Sequence, residues 1–169
     1  MSKSLVIGYG NPDREDDGVA WHIVRNLAVR FGRVDPNTPI DSILDLDVGE
    51  PQHRDDAPDL LVELQLMPEL AETLNLYDKV CFVDAHTGAY AHDVNVVDVQ
   101  AEYQSSPFTH HITPQTCLEI TRAAYGRAPK GLVVSVRGYQ FGFTHALSAQ
   151  TARLASEATE AILAWLKES

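Results

Sequence analysis

Apolar positions in this 169-residue chain fall into two patterns: short unbroken runs, and wider stretches that recur every three or four residues. Ser4–Tyr9 is an unbroken run ending in Gly-Tyr-Gly, which reads as a buried first strand. From Asp17 onward, Val19, Ile23, Leu27 and Phe31 return every fourth residue and define one face of a helix that stops near Gly32. Leu60–Met67 is a second strand-like run, after which Pro68 suits a first helical position and Leu70 and Leu74 continue a short helix. Lys79–Val83 predicts a strand running straight into Asp84, and Val94–Val99 and Leu132–Val136 predict two more. The helix over 114–125 is the best punctuated: Thr113 to cap it, Pro114 in its first turn, Gly126 for the left-handed residue after it and Pro129 just beyond. A last helix begins after Ser148, with Leu154, Ala158, Ala161, Ile162, Trp165 and Leu166 on one side.

Strands alternating with helices predict an α/β fold, a three-layer sandwich whose mostly parallel twisted sheet of about five strands carries helices on both faces. The Asp84–Asp93 link is short, so one strand is expected to run antiparallel. The length and the ordinary balance of 44% hydrophobic and 22% charged residues fit a single domain over 1–169. No stretch approaches the roughly 18 apolar residues of a membrane span, and only three apolar residues follow Met-Ser-Lys-Ser before Gly8, too few for a secretory signal. A net charge of −11 argues against nucleic acid or an anionic membrane as partner. Cys81 and Cys117 lie inside apolar segments without metal-type spacing and read as core residues, so a cytoplasmic protein without disulfides is expected. Residues 33–59 stand apart, with eight acidic side chains and four prolines. They read as a solvated excursion with a strand near Ile43–Val48, or else as a docking surface for a basic partner.

In an open α/β sheet, ligands bind beyond the carboxyl ends of the strands. The first such place holds Gly8-Tyr-Gly10-Asn11-Pro12-Asp13-Arg14-Glu15-Asp16-Asp17-Gly18. A dinucleotide fingerprint needs glycine where Asp13 stands, and the carboxylates crowded here repel phosphate and favour a cation. The structural alternative is that Asp16 or Asp17 merely caps the following helix. The second place is Asp84-Ala85-His86; an acid at the end of a buried strand needs partners, and His86 reads as an exposed loop histidine. The third is Thr109-His110-His111-Ile112-Thr113-Pro114, where a turn histidine is either solvated or an imidazole ligand for nickel or zinc. Two carboxylates and one imidazole from three loops would form an open metal site. Gly-x-Ser-x-Gly and His-Glu-x-x-His are both absent, which argues against common serine hydrolases and zinc proteases.

Taken in order, these segments resemble a known family. Ile7-Gly8-Tyr9-Gly10-Asn11, Asp16-Asp17-Gly18-Val19, Gln65–Glu72, Phe82-Val83-Asp84-Ala85, His110–Gln115 and Ala146-Leu147-Ser148 resemble the ordered motifs of the hydrogenase maturation endopeptidases. The resemblance implies an α/β sandwich that removes a C-terminal peptide from the large-subunit precursor of a [NiFe] hydrogenase once nickel has been inserted. The nickel is then carried by the precursor and is not a resident cofactor. Carried over by position, the nickel-contacting and catalytic residues are Asp17, Asp84 and His111, with Asp16 the runner-up in the first motif. His111 is preferred to His110 because its spacing to Gly126 and Pro129 matches the family register. The resemblance also leaves open a non-proteolytic chaperone that binds the nickel-loaded precursor. Departures are Asp13, where the family usually has an apolar residue, Ala20, where glycine is common, and the longer 33–59 segment.

Overall fold

The computed structural model describes residues 2–45, 57–104 and 111–168. Five strands, β1 (Ser4–Tyr9), β2 (Asp59–Glu63), β3 (Lys79–His86), β4 (Val94–Val99) and β5 (Lys130–Arg137), form one sheet in the order β2-β1-β3-β5-β4. The pairs β1–β2, β1–β3 and β3–β5 are parallel, and β4 lies antiparallel on β5 at the edge. The short link after β3 thus turns the chain back, as its length demands, but seats β4 outside β5.

Side chains alternate across the sheet and build two cores. On one face Val6, Cys81, Val83 and Val134 pack under α1 (Val19–Arg30) and α4 (Ala149–Leu166). On the other, Leu5, Ile7, Val80 and Phe82 pack under α2 (Leu70–Leu74) and α3 (Pro114–Tyr125). Both cysteines are buried in these cores, as the sequence predicts, and burial lifts the Cys117 thiol to about 12. No helix among the described residues is long and apolar enough to cross a membrane.

The punctuation read around α3 is realised in full. Thr113 Oγ1 accepts the Thr116 amide, and Gly126 takes φ 74° while its amide bonds the Arg122 carbonyl. Other boundaries move. Residues Glu15–Gly18 form a 3-10 turn before α1, and β2 stops at Glu63 rather than Met67. Pro68 lies in a preceding turn, closed by bonds from Leu70 and Ala71 to Met67 and Pro68, so α2 starts only at Leu70. The strand expected near Ile43–Val48 is not formed where it is described, because Ile40–Asp45 coil into a 3-10 helix. Nor is this segment simply solvated: Ile40 and Ile43 are buried in the α1 core, since two large aliphatics so placed are better hidden from water. Residues 46–56, with the remainder of that predicted strand and much of the proposed acidic docking surface, lie outside the described residues.

Helix α4 is held electrostatically at both ends. At its start Ser148 Oγ accepts the Thr151 amide, and the buried carboxylate of Asp16 accepts the Ser148 amide and hydroxyl. At its finish Lys79 Nζ donates to the carbonyls of Trp165, Leu166 and Glu168 at 3.0, 3.2 and 2.8 Å and lies 4.6 Å from the centre of the Trp165 ring. Each charge complements the helix dipole. Lys79→Met is expected to cost about 2 kcal/mol through lost charge-assisted bonds, lowering the melting temperature by roughly 4–8 °C. An unchanged thermal melt would show that the ammonium contributes nothing.

Candidate active site at the carboxyl edge of the sheet

The strand registers place one polar row across the carboxyl edge of an otherwise apolar sheet. Tyr9 pairs with Glu63, and Asp84 pairs with Ser135, which in turn faces Asn95. Gly8 pairs with Val83, so Tyr9 stands beside Asp84. All continue the face that carries Ile7, Phe82 and Val133, where α2 and α3 pack. Asp84 is thereby supplied with the partners a half-buried acid needs: Tyr9 Oη donates to its Oδ2 at 2.9 Å and Ser135 Oγ to its Oδ1 at 2.5 Å. Burial raises the Asp84 pKa above the usual carboxylate range and Asp17 adds to the rise, against the lowering effect of both hydroxyls. The Tyr9 phenol is pushed well above its ordinary value, first by burial and then by Asp84, so it remains a proton donor.

The turn after β1 brings in the second acid. Gly10 adopts φ 144°, and a Cβ there would stand 2.3 Å from the Asp17 carbonyl oxygen. The glycine is required because the strand end and the 3-10 turn cross at backbone contact. Gly10→Ala is therefore expected to destabilise the fold by about 3 kcal/mol or more. Gly126→Ala, where φ is 74° but the space is open, should cost only about 1 kcal/mol. Urea unfolding of the two variants separates steric crowding from backbone strain, and equal losses would refute the crowding argument.

Neither carboxylate caps α1; its N-cap, Gly18, receives no side-chain bond. Asp16 is fully buried and committed to the segment 139–151. Its hydrogen bonds hold it ionised below the usual carboxylate range, although burial works the other way. Asp17 faces the rim instead: its Oδ2 accepts the Asn11 amide at 3.0 Å, and among the described residues no hydrogen bond is made to its Oδ1. Of the two first-motif acids, only Asp17 has coordination capacity to spare. Two like charges within electrostatic reach, Asp17 and Asp84, are an arrangement that a cation relieves.

His111 lies just ahead of α3 and is exposed. The first turn of α3 approaches the rim, where Cys117 belongs to the apolar cluster against which Tyr9 packs. Among the described residues no three His, Cys, Asp or Glu side chains are gathered tightly enough to hold a metal ion, so the structure brings the two acids near one another without closing a triad around His111. His110 falls outside the described residues. His86 corrects the sequence expectation of an exposed loop residue. It ends β3 and is only 7% exposed, with Nε2 donating to the Asp93 carbonyl and Nδ1 accepting the Gly88 amide. It is a structural histidine that fastens the link between β3 and β4, with Tyr90 edge-on at 5.0 Å.

Glu63 is a rim acid that the sequence reading missed. It sits at the true carboxyl end of β2, and burial raises its pKa. The apolar run drawn through to Met67 swallowed it; the signal was the polar pair Glu63 and Gln65 breaking that run.

The fold so defined is that of the hydrogenase maturation proteases. The chain resembles HybD from Escherichia coli with a TM-score of 0.66 at 19% identity, over 98% of this chain and 92% of that one. It resembles HybD from Thermococcus kodakarensis at 0.64 and 14%, over 98% and 99%, and HycI from Thermococcus kodakarensis KOD1 at 0.62 and 17%, over 99% and 94%. No protein-family model and no curated protein matches the sequence.

Proposed function

We propose that this protein is a hydrogenase maturation endopeptidase that removes a C-terminal peptide from the nickel-loaded large-subunit precursor of a [NiFe] hydrogenase. The observation that carries the reading is the Asp17–Asp84 pair, two carboxylates within electrostatic reach of each other at the carboxyl edge of a fold shared with HybD and HycI. In this reading Asp17, Asp84 and His111 contact nickel that arrives with the precursor, and His111 joins the acids when the precursor is seated. Nickel is part of the substrate, so the protein needs no metal of its own. The chemistry follows from placement: gripping the nickel from one side sets the scissile peptide bond against a water held by the rim, a proximity effect that effective molarities put at up to roughly 7–11 kcal/mol.

The test is intact-mass measurement of nickel-loaded and nickel-free precursor after incubation with the protein. Shortening of the loaded form alone is the expected result. Binding without shortening would mean a maturation chaperone, and hydrolysis of both forms or of generic peptides would remove nickel from the recognition step.

A further inference from the structure

We infer that Asp16 is a positioning residue of this site: its carboxylate ties the turn carrying Asp17 to the loop over 138–148 and so fixes where Asp17 stands. The inference rests on the proposed function and adds to it a residue that never touches substrate. Asp16 is 0% exposed and accepts five hydrogen bonds. Oδ2 receives the amides of Tyr139 and Gln140 at 2.8 and 2.9 Å, the Ser148 hydroxyl at 2.7 Å and the Thr151 hydroxyl at 2.9 Å. Oδ1 receives the Ser148 amide at 2.8 Å. Every donor comes from one stretch of chain, more than 120 residues away in sequence.

The backbone repeats the connection, with Asp16 N bonding the Gln140 carbonyl at 3.1 Å and Glu15 N the Thr144 carbonyl at 3.0 Å. In a 3-10 turn, consecutive side chains point about 120° apart. Asp16 therefore points into the protein while its neighbour Asp17 points to the rim. Among the described residues the Asp17 side chain accepts a single hydrogen bond, from the Asn11 amide, while its own amide bonds the Arg14 carbonyl within the turn. Its position is set mainly by the turn, and the turn is set by Asp16. The loop it is tied to leaves β5 after Arg137, two residues beyond Ser135, the partner of Asp84, so the tie also fixes Asp17 relative to the second acid.

Asp16→Asn keeps the shape but presents an amide N–H where an acceptor is needed, so at least one donor loses its partner. Under conditions where the variant is folded by circular dichroism, kcat/KM on nickel-loaded precursor should fall by about tenfold. Its binding preference for nickel-loaded over nickel-free precursor should fall by a similar factor, with affinity for the nickel-free form unchanged. A loss of stability alone does not move that ratio. Thr151→Val removes one donor at a distance from the turn and should produce a smaller loss of the same kind. Wild-type preference in both variants overturns the inference. If Asp16→Asn does not fold, Thr151→Val and Ser148→Ala decide the matter by the same ratio. If the wild-type protein shows no preference for nickel-loaded precursor, the proposed function itself fails, and the inference falls with it.

Discussion

Replacing Asp84 by Asn is expected to reduce processing of nickel-loaded precursor by about a hundredfold or more while the fold remains intact. The magnitude is that of removing a charged group that acts directly at a reacting centre. The fold survives because the environment of Asp84 accepts a neutral side chain. Burial already opposes its charge, and its two partners are hydroxyls, of which Ser135 can turn from donor to acceptor. Stability should be unchanged or higher, so lost activity cannot be blamed on unfolding. Asp17→Ala and His111→Ala carry the same expectation, since Asp17 has an oxygen to spare on the rim and His111 is exposed. The measurement is intact mass of the precursor over time, beside a thermal melt of each variant. Normal processing by all three variants would end the assignment of these residues.

The second large effect is acid lability through His22. This histidine of α1 is only 8% exposed. Its Nε2 donates to the His145 carbonyl at 2.8 Å, and its Nδ1 accepts from Arg25 at 3.2 Å. Protonation would put a new N–H against a guanidinium in a buried place. Burial first, then Arg25, pull the pKa from 6.5 down to about 4. The unfolded chain therefore binds a proton between pH 6.5 and 4 that the folded chain refuses, and stability falls as the pH drops through that window. The full effect is roughly 3 kcal/mol. Asp16, with its depressed pKa, extends the loss further into acid. Asp84 and Glu63 act in the opposite sense, because their raised values mean that the folded form takes up protons first. The contribution of His22 is therefore read as a difference: urea midpoints at pH 7, 5.5 and 4.5 should converge for His22→Gln relative to wild type. Parallel pH profiles for the two proteins would show that His22 is not the group responsible.

Much of this architecture is legible in the residues. The ends of α3 follow from Thr113, Pro114 and Gly126 because caps are local chemistry, and β1 and β4 carry their limits in their own apolar pattern. The errors arose where distant partners decide. Glu15–Gly18 leaves the helical path because Asp16 is claimed by residues 139–151, which no local pattern reveals. His86 reads as a loop residue because it follows the acid that ends the apolar run, yet its two ring nitrogens are satisfied by backbone groups of the link that follows β3. The candidate acids Asp17 and Asp84 were readable as residues, but the face they share comes only from strand register. The different duties of Asp16 and Asp17 required coordinates, since side by side in sequence they are chemically the same.

The anchoring of α4 by Asp16 at one end and Lys79 at the other has a practical corollary. Eighteen residues at 1.5 Å each make a strut of about 27 Å between the two rims of the sheet. Lys79 opens β3, so residues 165–168 are pinned on the side away from Asp17 and Asp84. A surface tether or fluorophore attached at Lys167 would thus leave the acidic rim facing outward, oriented for capture of a large partner.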